Sequence, residues 1–270
     1  MKGFLNAVVD VKKEEINQAK SKAPLTAIRH DAEHTPVPAS FADAVAASTS
    51  EAVGVIAEVK KASPSKGDIR TDLDVPAYAK AYTQGGARAI SVLTESKYFK
   101  GTLSDLELVC QNTDLPVLRK DFIFSEYQIY EAKKAGASAV LLITTLLDPT
   151  QQAELTVLTR ELGMEPLVEI NSEFEFEQAY KAQARVVGIN NRNLATLEVD
   201  TSVAKRVAKI FPDEIIPVEA SGISGRSGIE AGIENRIFNF LVGESIVRSD
   251  DPAQFIKTLI GIKEESDSQP

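Results

Sequence analysis

The chain has 270 residues, with 30 basic against 39 acidic side chains and a formal net charge of −9. That balance argues against a nucleic-acid binder, which carries a basic face. With 43% apolar and 26% charged residues, the chain is too apolar for disorder and can bury a large core. Length alone allows two modest domains or one large single-core architecture, since α/β barrels run to about 250 residues as one domain.

The N-terminal stretch MKGFLNAVVDVKKEE has a brief apolar patch and turns charged at once, unlike a secretory signal. No run approaches the ~20 apolar residues of a membrane span, so the expectation is a soluble cytoplasmic protein with no membrane contact. Residues 1–50 precede the first strand and read as a helical extension packing on the rest of the chain. Leu5, Val8, Val9, Ile16 and Ala19 have helical spacing, and SFADAVAAS predicts a second short helix. Between them, SKAPLTAIRHDAEHTPVPAS is turn-rich and charged, and reads as an ordered connection with a mobile middle. His30 and His34 fall in that segment and read as surface residues.

From residue 51 to 262 the pattern becomes repetitive. Short β-branched runs occur at Val55–Lys60, Ala89–Thr94, Pro116–Lys120, Ser138–Ile143, Pro166–Ile170, Val186–Asn190, Ile215–Ala220 and Phe238–Gly243. Longer stretches with helical spacing separate them. In SEYQIYEAKKAGA, Ser125 can cap, Gln128 completes a capping box and Gly136 stands where a helix stops. In DPTQQAELTVLTRELGM, Asp148 is the N-cap, Pro149 the first helical residue and Gly163 the end. Strands apolar on both faces and followed by helices mean a parallel sheet. Eight such units predict an α/β fold closed into a (β/α)8 TIM barrel. An open doubly wound sheet is the competitor, but it usually places its glycine fingerprint after the first strand, whereas SGISG and VGES come late here. The last residues, KEESDSQP (263–270), read as a frayed tail.

The single cysteine, Cys110, cannot form an internal disulfide and lies in a predicted helix, which points to a reducing compartment. No His/Cys metal constellation is visible, so no metal is expected.

In a parallel barrel, reactive groups come from the C-terminal ends of strands. The first run carries Glu58 and Lys60 two apart, on the face of Ile56. The third ends in Arg119, Lys120 and Asp121, the fifth holds Glu169, and the sixth ends in Asn190 followed by Arg192. Taken singly, each reads as a rim residue or an ion-pair partner. Together, two glutamates and two lysines at one mouth form a desolvated network able to protonate a carbonyl oxygen and remove a carbon-bound proton. SGISG and VGES, after the last two runs, offer unhindered amides, and ESIVR predicts a short extra helix, the usual barrel phosphate site. Plain tight turns are the alternative for either motif alone. Lys60 would add a positive charge to that phosphate. KKASPSKGD, directly after Glu58 and Lys60, reads as a lid over substrate or as a flexible surface loop.

The segments EVKKASPSKGDI, ISVLTESKYFKGTLSDL, PVLRKDFIFSEYQIYEAKKAGASAVLLI, LVEIN, VVGINNRNLATLEVD, ASGIS and FLVGESIVR, in this order, closely resemble the indole-3-glycerol phosphate synthase family of tryptophan biosynthesis. The resemblance runs from about Phe4 to Ile262. It implies ring closure of 1-(2-carboxyphenylamino)-1-deoxyribulose 5-phosphate to indole-3-glycerol phosphate, with loss of carbon dioxide and water and no metal or organic cofactor. It further implies that Lys120 is the general acid and Glu169 the general base for dehydration. Glu58 would hold and tune Lys120, Lys60 would contact substrate and phosphate, and Asn190 would orient the reacting chain. Ser63 and Arg192 resemble the partners of the aromatic carboxylate, Phe99 and Phe122 the walls of the aromatic pocket, and Gly222, Gly243 and the amide of Glu244 the phosphate cradle. Ser221 is expected to contribute to substrate binding. A monomer or weak homodimer is implied, with transient contact to other tryptophan-pathway enzymes allowed.

One departure stands out. The family reads Glu-Ser-Gly at the end of the seventh run, where this chain reads Val218-Glu219-Ala220-Ser221-Gly222. Ala220 therefore replaces the substrate-facing carboxylate, and by alternation Glu219 points to the helical layer unless a bulge turns it inward. In VGES, a carboxylate near a phosphate is repulsive, so the Glu244 side chain is expected to turn outward. Two rival readings stay open. A phosphoribosylanthranilate isomerase would share the phosphate turns but use a cysteine and an aspartate, and Cys110 lies in a helix, away from any strand end. A catalytically weakened barrel kept as an interaction subunit is the reading that Ala220 motivates.

Overall fold

The computed structural model describes residues 3–193 and 196–262, so the predicted tail at 263–270 lies outside the described residues. Three helices come first: α1 (Gly3–Lys22), α2 (Leu25–His34) and α3 (Phe41–Ala46). Next come β1 (Gly54–Val59), a small hairpin of β2 (Ala62–Ser63) and β3 (Gly67–Asp68), α4 (Val75–Gln84), β4 (Ala89–Leu93), α5 (Leu103–Gln111), β5 (Val117–Lys120), α6 (Glu126–Lys134) and β6 (Ala139–Ile143). The second half runs α7 (Pro149–Glu161), β7 (Glu165–Ile170), α8 (Glu173–Lys181), β8 (Val186–Asn190), α9 (Ser202–Val207), β9 (Ile216–Ala220), α10 (Arg226–Ile233), β10 (Asn239–Val242), α11 (Glu244–Arg248) and α12 (Pro252–Ile260).

All strands except those of the hairpin pair in parallel and close in the order β1-β10-β9-β8-β7-β6-β5-β4. Every predicted run is one of these barrel strands, with ends shifted by at most a residue or so. Closure leaves no sheet edge to protect. Period-two alternation divides each strand between two cores. Ile56, Ala89, Leu118, Leu141, Leu167, Val218 and Leu241 fill the interior. Val55, Ala57, Val92, Val140, Val168 and Val187 meet the helices. Each fully buried Val, Leu or Ile among them contributes about 1.5–3 kcal/mol.

Asp148 caps α7 by accepting from the amides of Thr150 and Gln151, with Pro149 at the first position, as the sequence predicts. The capping box proposed for α6 is corrected. Ser125 accepts from the amide of Tyr127 at 3.3 Å, but Gln128 does not return to it. Gln128 instead accepts from the amide of Phe124 at 3.0 Å and donates to the carbonyl of Phe122 at 2.9 Å, bracing the turn after β5.

The connection expected to have a mobile middle is also corrected, because it contains the ten-residue helix α2. Its apolar signal is the single pair Ile28 and Ala32, one turn apart, which packs with Ile16 of α1 on Tyr127 and Tyr130 of α6. Tertiary contact makes this helix, since local propensity over a short charged segment does not. His30 and His34 stack on its exposed side. At the end where strands begin, Phe41, Ala42 and Val45 of α3 join the interior cluster and close the barrel floor. Among the described residues, no helix is long and apolar enough to cross a membrane.

Candidate active site

The opposite end of the barrel opens into a cavity of about 580 Å³. Glu58, Lys60, Ser63, Phe99, Lys120, Phe122, Glu169, Asn190, Arg192, Ser221, Gly222, Gly243 and Glu244 all line it, which gathers every residue that the resemblance implied for the site. Arg119 and Asp121, read from the end of the third run, are not among its lining residues and pair instead with each other at 3.3 Å and with Glu131 and Lys12. Alternation brings them there: Glu58 follows Ile56 on the inward face of β1, and Glu169 follows Leu167 on that of β7.

On one side, Glu58 is bracketed by two ammonium groups. Its Oε2 lies 2.6 Å from Lys60 Nζ, and its Oε1 lies 3.6 Å from Lys120 Nζ. Burial penalises its ionisation, but the attraction of Lys60 and Lys120 outweighs that penalty and holds the carboxyl below the usual range. Gly243 makes this placement possible, because a Cβ there would fall 2.3 Å from Glu58 Oε2.

On the other side, Glu169 lacks so close a cation. Asn190 Nδ2 donates to its Oε1 at 3.0 Å. Burial dominates and raises its pKa, and the opposing effects of Lys120 and Asn190 only reduce the rise. Asn190 Oδ1 accepts from Ser221 Oγ at 2.9 Å and from the Arg192 amide at 2.9 Å, which fixes the amide orientation and so aims its donor at Glu169. Two buried carboxyl groups in one cavity are thus pushed in opposite directions.

The predicted loop after β1 is the β2–β3 hairpin. Its tip lines the cavity, and Arg192 Nη1 donates to Ser65 Oγ at 3.3 Å across the opening. Ser63 Oγ is buried with no hydrogen-bond partner. Two strands round the barrel from β1, the chain leaving β9 turns sharply, with φ of 70° at Ser221 and 86° at Gly222. The helix predicted after β10 is α11, and Glu244 is engaged by Arg248 Nε at 3.1 Å.

Glu219 faces the helical layer, as alternation predicts. Asn191 Nδ2 donates to its Oε1 at 2.8 Å, and its Oε2 lies 3.0 Å from where a Cβ on Gly232 of α10 would stand. Ala220, not Glu219, lines the cavity. Cys110 sits in α5 rather than in the cavity lining, and burial pushes its thiol up to about 12, which disfavours the isomerase reading.

Phe4 and Arg248 are cavity residues that sequence reasoning missed. Phe4 of α1 packs edge-on against Tyr98 (5.1 Å between centroids) and Phe122 (6.2 Å), so the N-terminal helix supplies part of the aromatic wall. Arg248 borders the turn after β10. Its spacing of four from Glu244 on a predicted helix was the available signal.

The family described as "Indole-3-glycerol phosphate synthase" matches residues 5–259. A protein of that name from Desulfosudis oleivorans is 44% identical over 261 residues, covering 96% of this chain and 99% of its own. One from Carboxydothermus hydrogenoformans is 43% identical over 262 residues, covering 95% and 99%. Among solved structures, a thiamine phosphate pyrophosphorylase from Pyrococcus furiosus superposes with a TM-score of 0.57 at 15% identity, covering 78% of this chain and 94% of that one. At that identity the likeness shows the fold alone.

Proposed function

The chain belongs to the indole-3-glycerol phosphate synthase family, lyases of tryptophan biosynthesis, and from that premise we propose a division of labour among its cavity residues. Lys120 protonates the ribulose carbonyl oxygen of 1-(2-carboxyphenylamino)-1-deoxyribulose 5-phosphate as the ring carbon bearing the carboxylate attacks the carbonyl carbon. Loss of carbon dioxide restores aromaticity and drives the closure forward. Glu169 then removes a proton from the carbon that joins the ring nitrogen to the new carbon–carbon bond, while an ammonium of the cavity, Lys60 or the reprotonated Lys120, protonates the new hydroxyl, which leaves as water. The raised pKa of Glu169 favours that role, since a base is most effective with its pKa nearer the working pH.

Glu58 stays ionised between Lys60 and Lys120 and holds the acid in place. The amides of Gly222, Gly243 and Glu244, with Lys60, hold the phosphate, and Arg248 neutralises Glu244 so that its carboxylate does not repel the anion. Ser63 and Arg192 meet the aromatic carboxylate; the unpartnered, buried Ser63 hydroxyl supports this assignment. Phe99, Phe122 and Phe4 enclose the ring. Gripping the substrate at both ends folds a flexible chain against its acid, so that the reacting atoms meet without a further loss of freedom. The lone, half-buried Cys110 supports a reducing compartment, the cytoplasm, and the chain acts as a monomer or weak homodimer.

One observation carries this reading: Lys120 and Glu169 share a single cavity, with Lys120 close enough to act on the ionisation of Glu169. The test is formation of indole-3-glycerol phosphate by purified protein, followed by product fluorescence. Turnover that disappears in Lys120→Ala supports it. A wild-type rate no faster than that of the variant would favour a barrel kept only for interaction.

A further inference from the structure

Between β4 and α5 the chain makes a tight excursion, residues 95–101, that carries Phe99 to the cavity and Tyr98 to Phe4. At its start stands Glu95, 0% exposed. The hydrogen-bond partners of its carboxylate among the described residues are main-chain amides. Oε1 accepts from Lys97 at 3.0 Å, and Oε2 accepts from Tyr98 at 2.7 Å and from Phe99 at 2.9 Å. The Glu95 carbonyl accepts from the amide of Gly101 at 2.9 Å, closing the excursion on itself. Gly101 has no room for a side chain, since a Cβ would fall 2.0 Å from the carbonyl oxygen of Leu93. Lys100 is held at φ 56°, and its ammonium reaches Asp68 of β3 at 2.6 Å.

A buried carboxylate is costly unless its lone pairs are satisfied, and three converging amides satisfy this one. The same bonds fix the backbone of residues 97–99, and therefore the direction from which the Phe99 ring leaves the chain. We infer that Glu95 is a positioning residue for substrate recognition: its carboxylate gathers three successive amides and so sets the Phe99 wall against which the substrate's aromatic ring packs. The inference rests on the substrate reading above. It assigns Glu95 no contact with substrate and no part in proton transfer, so its removal acts on ring binding and leaves the phosphate end alone.

Glu95→Gln replaces one acceptor oxygen by a donor NH2 that faces an amide N–H. The experiment measures KM and kcat with 1-(2-carboxyphenylamino)-1-deoxyribulose 5-phosphate, and the inhibition constant of inorganic phosphate as a probe of the other end. The expected result is a KM raised about tenfold or more, kcat within about threefold of wild type, and an unchanged phosphate inhibition constant. Phe99→Ala raises KM similarly, and the double variant is no worse than Phe99→Ala alone, because both act through one ring. An unchanged KM, a phosphate constant that weakens in parallel, or additive effects in the double variant each overturn the inference. Glu95→Asp, which keeps the charge but shortens the reach, applies the same criteria if the glutamine variant does not fold. Wild-type protein that forms no product would refute the substrate reading itself, an outcome distinct from active wild type with an unaffected Glu95 variant.

Discussion

The two sides of the barrel mouth treat a buried carboxyl group in opposite ways. On the β1 and β5 side, Glu58 meets two lysines and stays ionised; on the β7, β8 and β9 side, Glu169 meets the uncharged donor Asn190, which is tied in turn to Ser221. Depth does not explain the difference, since both carboxyl groups are almost wholly buried. Neighbour chemistry does. One side holds fixed charge, and on the other burial favours the protonated carboxyl.

Breaking the charged side should cost most. Lys120→Met removes the proposed acid, and kcat should fall by up to about 10⁴-fold, the upper end for a positioned proton donor. It also removes one of the cations that keep Glu58 ionised, so the Glu58 carboxyl should titrate higher in the variant, as carboxyl carbon NMR would show. A kcat within tenfold of wild type would remove Lys120 from the chemistry.

The uncharged side should respond less in rate and more in pH profile. Glu169→Gln should lower kcat by about 10²-fold. In wild type, Glu169 must lose its proton to serve as base. Because its pKa is raised, kcat/KM should climb with pH across a limb lying above the ordinary carboxylate value, and that limb should vanish in the variant. Asn190→Ala removes a donor that favours the ionised form, so it should move the limb to still higher pH. A limb unmoved by either change would mean that another group titrates there.

Much of this contrast was legible in the sequence. The barrel strands announce themselves as β-branched runs, and alternation alone places Glu58 and Glu169 inward because each follows an interior aliphatic residue by two. What stayed hidden depends on contacts distant in sequence or on backbone partners. The pair Ile28 and Ala32 makes a helix only against Tyr127 and Tyr130. Phe4 becomes a cavity wall only because α1 lies over the mouth. Glu95 reads as an ordinary loop glutamate until its three amides are seen.

Ala220 sharpens the comparison from the uncharged side. The resemblance places a carboxylate at this position, and here the cavity wall beside Ser221 and Asn190 is a methyl group. Ala220→Glu should restore an acceptor for a substrate hydroxyl, raising kcat/KM by about tenfold, within the range for a hydrogen bond to a charged group. Unchanged or lower kcat/KM would show that this chain has adapted its mouth to the alanine.

The smallest effect belongs to Glu219, next to Ala220 but outside the cavity, against the helical layer. Burial raises its pKa, and the hydrogen bond from Asn191 offsets this only partly. An acid whose pKa is higher folded than unfolded stabilises the fold most below the unfolded pKa, where both states are protonated. That contribution is lost as pH rises through the folded value, because the unfolded chain ionises more readily. Glu219→Gln cannot ionise, and its amide oxygen can still accept from Asn191. The melting temperature of the variant relative to wild type should therefore rise by a few degrees as pH passes from below the ordinary glutamate value to neutrality, then level off. Activity should stay near wild type, because the side chain faces away from the substrate cavity. A relative melting temperature that falls over the same range would mean that the ionised carboxylate has a stabilising partner in the helical layer stronger than Asn191.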